Sequence, residues 1–314
     1  RSRSSAGRSA RILSTCVIVP AAGSGSRLGC SEPKAFVRVN GRTLLARSLE
    51  AIISSGVATT IVVAAPEDFL LRAREEIAEV SVGRKCEISI TAVAGGNDRI
   101  STVQRALKLT GDAEYVLVHD AARCLTPPDV FTRVVAGLRS GAQAVIPVLP
   151  MIDTVRRAVS EPAVRADTNT GAVADRTSNG IVWSIHGGSD ADITADRPNN
   201  SDPARAEGAG PCETVRGELD RSELRRVQTP QGFRTEVLLR AYERFANDGA
   251  SAAPTDDAGL VERLGVDVLA VEGDEEALKI TYPLDLTLAE QLARMRDGAV
   301  APGTGGPDSA KEPR

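Results

Sequence analysis

An α/β fold built on a doubly wound, mostly parallel sheet is what this sequence predicts, and three observations carry the prediction. Short β-branched runs alternate with helical patterns at short loop distance up to Met151, the rhythm of right-handed βαβ units. Hydrophobic residues make up 42% of the 314, with only 3% aromatic, so the core is built from Val, Ile, Leu and Ala. That composition suits strands buried on both faces beneath Ala/Leu-rich helices. A glycine-rich stretch follows the first run directly, as in Rossmann-like sheets.

The elements read in order as follows. Residues 16–19, 60–65, 88–93, 115–119 and 144–148 are the strands. Between them, residues 43–55, 67–79, 99–109 and 128–139 carry helical patterns. After Met151 the rhythm breaks, and residues 158–217 are rich in Ala, Asp, Asn, Thr, Gly, Pro and Ser, which reads as a disordered, low-complexity insertion. Its one strand-like patch, 181–185, holds the lone Trp183. Order returns at Leu219, with helices expected at 235–247, 255–264 and 283–295 and strands at 267–271 and 278–281. Residues 1–14 and 297–314 read as disordered tails, leaving one domain at 15–296 without internal repeats.

Bulk properties exclude several classes. Net charge is −4 and the basic residues are spread along the chain, which argues against nucleic acid as the main partner. No apolar run is long enough to span a membrane. Cys16, Cys30, Cys86, Cys124 and Cys212 are odd in number and scattered, pointing to a reducing compartment rather than to a disulfide framework or a zinc site. The Arg/Ser-rich first eleven residues read either as a tail or as an organellar transit peptide, so the expected location is the cytoplasm, with a plastid stroma as the alternative.

The chemistry centres on the segment from Pro20 to Gly29 and the following Pro33-Lys34. Gly23 and Gly25 permit positive φ and close backbone approach, so that N–H groups form a nest for phosphates. The spacing Gly23-x-Gly25-x-x-x-Gly29 places Leu28 where a dinucleotide fingerprint needs its third glycine, and it is not a P-loop either. A plain turn after the first strand is the simpler alternative. Arg27 and Lys34 bracket the second half of the loop, where a planar fork and a point charge suit phosphate oxygens; otherwise they are solvated surface cations. Asp120 falls at the carboxyl end of the fourth strand, where ligands bind open sheets, or else caps a helix. His119 is expected to face the sheet.

Further motifs define a resemblance. The stretch Ala21-Ala22-Gly23-x-Gly25-x-Arg27-Leu28-Gly29 with Pro33-Lys34 is similar to nucleotidyltransferases that activate sugar and alditol phosphates. Gly95-Gly96-Asn97-Asp98-Arg99 with Thr102-Val103 and Val118-His119-Asp120-Ala121-Ala122-Arg123 narrow the match to cytidylyltransferases. Asp153-Thr154, Thr229-Pro230-Gln231, Thr255-Asp256-Asp257-Ala258, Val271-Glu272-Gly273 and Lys279-Ile280-Thr281 follow in the same order. Together they resemble the 2-C-methyl-D-erythritol 4-phosphate cytidylyltransferases of non-mevalonate isoprenoid synthesis, over roughly residues 15–157 and 219–294.

The resemblance implies a homodimeric, Mg²⁺-dependent enzyme that transfers a cytidylyl group from CTP to 2-C-methyl-D-erythritol 4-phosphate. It implies that Ala21, Ala22, Gly23, Gly25, Gly96, Asn97, Thr102, Asp120 and Ala121 bind CTP, with Asp120 also a candidate metal ligand. Arg27, Lys34, Arg221 and Lys279 take the catalytic roles, and Arg123, Thr154, Thr229 and Thr255 contact the acceptor. Taken from its residue type alone, Arg221 is otherwise a surface ion pair. Residues of about 150–228 are implied to form a β-arm that reaches a second subunit, with the insertion of roughly sixty residues at its tip, where length is tolerated.

Cys124 departs from the family's Pro, Thr102 from its Ser, and Tyr282 from a smaller or basic residue. Cys124 and Cys30 lie near the expected site, so thiol modification is expected to inhibit. The rivals are a ribitol 5-phosphate cytidylyltransferase, which Ala122 disfavours, and a non-catalytic nucleotide-binding homologue, which the four cations disfavour.

Overall fold

The computed structural model describes residues 14–82, 88–159, 214–248 and 254–299. In chain order its elements are β1 (Thr15–Pro20), the short hairpin β2 (Arg38–Val39) and β3 (Arg42–Thr43), α1 (Leu44–Ser55), β4 (Thr60–Ala65), α2 (Leu70–Ser81), β5 (Ser89–Ala94), α3 (Arg99–Leu107), β6 (Tyr115–Val118), α4 (Pro128–Arg139) and β7 (Ala144–Pro150). They continue with β8 (Arg156–Val159), β9 (Thr214–Glu218), β10 (Arg225–Val227), β11 (Gln231–Arg234), α5 (Thr235–Asn247), α6 (Asp257–Glu262), β12 (Val268–Glu272) and α7 (Pro283–Ala299). The chain divides into two compact units, Ile152–Glu223 and the remainder.

The larger unit is built on an eight-stranded sheet. β1 runs parallel to β4 on one side and β6 on the other, and β4 continues to β5. β11 is inserted antiparallel between β6 and β7, β10 extends along β7, and β12 closes the far edge parallel to β7. Alternate residues serve opposite faces. Val17, Val19, Ile61, Val63 and Leu117 pack with α1, α2 and α4 in one fully buried layer. Cys16, Ile18, Val62, Val116 and Val118 pack with α3, α5 and α6 in the other. Burial on both faces is why these strands read as continuous apolar runs. The doubly wound, mostly parallel sheet expected from the sequence is the observed one.

Local chemistry sets the helix boundaries. Thr43 Oγ1 accepts from the Ala46 N–H at 3.0 Å and starts α1, and Gly56 ends it in the left-handed region. Asp98 and Ser101 form a capping box on α3. Asp256 accepts from the Gly259 N–H at 3.0 Å, so α6 starts at Asp257 rather than at Thr255. A 3₁₀ turn at Glu67–Phe69 delays α2 to Leu70.

Two expectations are corrected, and two strands were not anticipated. Residues 278–281 do not form a strand: the Ile280 N–H bonds Ala122 O at 2.9 Å, outside the sheet ladders, and the Asp285 carboxylate accepts from Thr281 and Tyr282 N–H. β10 and β11 were not legible as strands, because RRV and QGFR carry no apolar alternation. In β11, Gly232 is required: a Cβ there would lie 2.5 Å from Val134 Cγ1. The insertion expected at 158–217 is narrower at both ends, since Arg156–Val159 pairs antiparallel with Thr214–Glu218 as a two-stranded ribbon.

The rest of that expected insertion, including Trp183, lies outside the described residues, as do the tails except at their inner ends. Ser14 bonds Asp112 O, and α7 carries through Asp297, whose carboxylate pairs with Arg47 at 2.7 Å. No described helix is long and apolar enough to cross a membrane.

Candidate active site

The chain leaves β1 for β4 and β5 and then returns to β6 on the opposite side of β1. Two loops therefore part at the carboxyl ends of the strands and leave a crevice there. A cavity of about 490 Å³ fills this crevice, lined by the glycine loop, the turn after β5, the turn after β6 and the Lys279–Thr281 segment.

The glycine loop is shaped by its own backbone. Ala21 N–H bonds Ala64 O at 2.8 Å, which holds the loop root to the sheet, and Lys34 N–H bonds Gly23 O at 3.3 Å, which folds its far end back. Gly25 sits at φ 69°, and a Cβ there would be 2.8 Å from Lys34 Cβ. Glycine is thus needed both for the positive φ and for the approach of Lys34. Pro33 leads into a 3₁₀ turn that begins at Lys34 and presents its side chain to the cavity.

The second wall is fitted to the first. A Cβ on Gly95 would lie 2.5 Å from Ala22 Cβ, so the two loops touch through a missing side chain. Thr102 is buried, and its hydroxyl accepts from Gly96 N–H at 3.0 Å and donates to Asp98 O at 2.6 Å. That hydroxyl braces the Gly96–Asp98 turn and leaves backbone groups and Asn97 on the cavity surface.

Asp120 is the electrostatic centre. Its Oδ2 lies 2.8 Å from Lys279 Nζ and its Oδ1 3.6 Å from Arg99 Nε. Burial opposes its ionisation, but Arg99 and Lys279 prevail and hold the carboxyl well below the usual carboxylate range. Although Asp120 precedes a 3₁₀ turn, its side chain makes no capping bond. Its N–H donates to Thr229 Oγ1 at 3.0 Å, and that hydroxyl also meets His119 Nδ1 at 3.1 Å. His119 is fully buried against Phe131, and desolvation lowers its pKa to about 4, so it is a neutral internal residue.

Lys34 is lowered to about 8, first by burial and then by Lys279 and Arg27, with Asp120 opposing them. Arg27, Lys34, Arg99 and Lys279 line the cavity against the two carboxylates of Asp98 and Asp120, an excess of positive charge that suits an anionic ligand. Arg27 is exposed and its guanidinium stands 5.9 Å from the Tyr282 ring centroid.

The structure thus brings together Ala21, Ala22, Gly23, Gly25, Arg27, Lys34, Gly96, Asn97, Thr102, Asp120, Ala121 and Lys279 around one cavity. Thr229 is buried behind Asp120 and supports its backbone. Arg123 does not line the cavity: its guanidinium donates to Ala277 O at 2.6 Å and Val227 O at 3.0 Å, tying the Lys279 segment to β10. Thr255 is exposed ahead of α6, outside the lining.

Thr154 and Arg221 belong to the smaller unit and line a concavity of its own with Glu218, Leu219 and Asp220, where Arg221 donates to Ile152 O at 2.7 Å. Sequence reasoning missed Arg99 as a cavity residue, although it ends the Gly95–Arg99 motif, and missed its partner Asp257 in the Thr255–Ala258 motif. They pair at 2.5 Å.

The thiol expectation is corrected for Cys124. It is buried among Leu28, Leu44 and Leu125, and desolvation pushes its pKa up to about 12. Among the described residues no group of three or more His, Cys, Asp or Glu could hold a metal ion.

Comparison with known proteins agrees with this geometry. The family profile of IspD, 2-C-methyl-D-erythritol 4-phosphate cytidylyltransferase, matches residues 15–176 and 204–295. The 2-C-methyl-D-erythritol 4-phosphate cytidylyltransferase of Rhodococcus opacus is 42% identical over 275 residues, 88% of this chain and 93% of that protein. Its counterpart from Nocardia farcinica is 37% identical over 283 residues, 90% and 95% of the two chains. Among solved structures, the enzyme of that name from Thermus thermophilus is 31% identical with a TM-score of 0.56, covering 90% of this chain and 100% of its own. The chain belongs to the 2-C-methyl-D-erythritol 4-phosphate cytidylyltransferase family.

Proposed function

We propose that the cavity transfers a cytidylyl group from CTP to 2-C-methyl-D-erythritol 4-phosphate. An oxygen of the acceptor's phosphate attacks the α-phosphorus, the α–β bridging P–O bond breaks, and pyrophosphate leaves. Acceptor phosphate is already ionised near neutral pH, so the chain need supply no nucleophile; its task is positioning and charge stabilisation. The observation that carries this reading is the convergence of Arg27, Lys34 and Lys279 on the glycine loop, beside the ionised Asp120.

In this reading the loop N–H groups from Ala22 to Gly25 cradle the triphosphate, on a root that the Ala21 N–H ties to Ala64 O. With the Gly96 N–H taken by Thr102, the Gly96 carbonyl and the Asn97 backbone and side-chain amides offer both donors and acceptors to a cytosine edge. Lys34 and Arg27 stabilise charge at the α-phosphate and the leaving group. Lys279 leaves Asp120 to meet the acceptor phosphate. Asp120 is an ionised oxygen donor beside the nest, and one carboxylate with substrate phosphates suffices for Mg²⁺, so it would hold that ion. Bound there, Mg²⁺ would neutralise phosphate charge.

The arm supplies the acceptor half, from Arg221 and Thr154, to the site of a partner subunit. The ribbon supports this: a lone two-stranded ribbon is marginal in water, and this unit leaves Ile152 66% and Val215 60% exposed. Cys16, Cys30 and Cys124 are free thiols, which suits a cytoplasmic setting.

Turnover of CTP with a panel of alditol phosphates, following Mg²⁺-dependent pyrophosphate release, tests the reading. Preference for ribitol 5-phosphate would overturn the acceptor, and absence of release with every acceptor would overturn the reaction.

A further inference from the structure

Behind the cavity, three side chains from three helices form a chain that ends on Asp120. Tyr242 of α5 is 3% exposed and donates from its hydroxyl to Asp257 Oδ1 at 2.6 Å. Asp257, the first residue of α6, is fully buried, and its Oδ2 accepts from Arg99 Nη2 at 2.5 Å. Arg99, the first residue of α3, turns its Nε toward Asp120 Oδ1 at 3.6 Å. A buried carboxylate requires partners, and Asp257 has two, neither of them substrate. The guanidinium is planar, so its contact with Asp257 on one edge decides where the other edge stands.

Left without Asp257, Arg99 would have Asp120 as its only paired carboxylate and would close on it. With Asp257 in place, Arg99 stays at 3.6 Å and Asp120 keeps its Oδ2 for Lys279 at 2.8 Å. We propose that Asp257 and Tyr242 are positioning residues for the transfer reaction: acting through Arg99, they set where the Asp120 carboxylate stands in the cavity. The inference rests on the reading of Asp120 as part of the reacting site. It gives the buried ion pair a directional role, which suits a network whose net contribution to stability is small.

A double-mutant cycle on the full chain tests it, pairing Tyr242→Phe, which removes one hydroxyl and keeps the ring, with Asp120→Asn. Tyr242→Phe is expected to lower kcat about threefold to tenfold, on the scale of one hydrogen bond, with Kd for CTP by calorimetry within about twofold. In the Asp120→Asn background the same substitution is expected to leave kcat unchanged, because its route to the reaction is gone. Asp257→Asn is expected to act in the same direction more strongly.

Two independent effects on kcat that multiply would overturn the proposal, as would an unchanged kcat in Tyr242→Phe accompanied by a lowered Tm, which marks a role in stability alone. Tyr242→Phe conserves packing and keeps the test open if Asp257→Asn fails to fold. Absence of all turnover in the unsubstituted chain would instead sink the functional reading.

Discussion

The cavity of the larger unit and the ribbon of the smaller one present candidate site residues in opposite ways. Around the cavity three side chains are held by neighbouring structure: Lys34 by the Gly25 approach, Asp120 by Thr229 and Arg99, Lys279 by the Ile280 and Asp285 bonds. Arg221 and Thr154 stand on an exposed ribbon with little apolar burial. Preorganised donors need a rigid shell behind them. A sheet with buried faces provides one, whereas a two-stranded ribbon acquires one from what packs on it. In the proposed function the first half would hold a triphosphate in a set geometry, and the second would be completed by a partner subunit.

The contrast can be broken most directly through stability. Phe131 is fully buried against His119, and Phe131→Ala is expected to cost about 3–5 kcal/mol, whereas Val215→Ala on the ribbon is expected to stay within about 0.5 kcal/mol in monomeric protein. Denaturant unfolding measures both, and comparable losses would mean that the ribbon has a core of its own. Next in size, Lys34→Ala is expected to lower kcat by roughly 10²-fold, the scale of one transition-state donor. Steady-state kinetics that leave kcat intact would remove Lys34 from the reaction.

A smaller effect separates the two halves functionally. Arg221→Ala is expected to raise KM for the acceptor by about tenfold while Kd for CTP is unchanged, as for a lost charge-assisted contact. Mixing Arg221→Ala with Lys34→Ala subunits should restore part of the activity if the arm works in trans; mixtures no more active than the separate variants would place both halves in one chain.

The gentlest probe is pH. Lys34 acts as a cation and its pKa lies near 8, so kcat/KM should fall as pH rises through about 8. The kcat limb should lie higher, because bound triphosphate favours the charged form. Lys34→Arg should abolish the limb, and a limb that persists at the same pH belongs to another group.

Much of this was legible in the chain. The strand at 60–65 coincides with the observed element because it is a continuous apolar run, and the helices at 128–139 and 235–247 do so because their periodicity is long and unbroken. The cavity lining follows from the Gly23–Gly29 loop and the motifs ending in Arg99 and Arg123, since glycines and charges at strand ends leave a local signature. β10 and β11 were hidden because β10 is wholly exposed and β11 owes its burial to α4, α5 and the neighbouring strands rather than to a local apolar pattern. The 278–281 run looked like a strand for the reverse reason: Leu278 and Ile280 are apolar, but they pack on α7 and the turn after β6.

The sequence by itself determined the doubly wound sheet, the glycine loop after β1 and the family, because periodicity, glycine spacing and ordered motifs are properties of neighbouring residues. Only the tertiary structure decided which charges meet. Asp120 and Lys279 are 2.8 Å apart, Arg99 and Asp257 2.5 Å, and Arg123 proved to hold backbone rather than line the cavity. Those pairings depend on how four loops and three helices converge at the ends of one sheet, and no local pattern encodes a distance between residues so far apart in the chain.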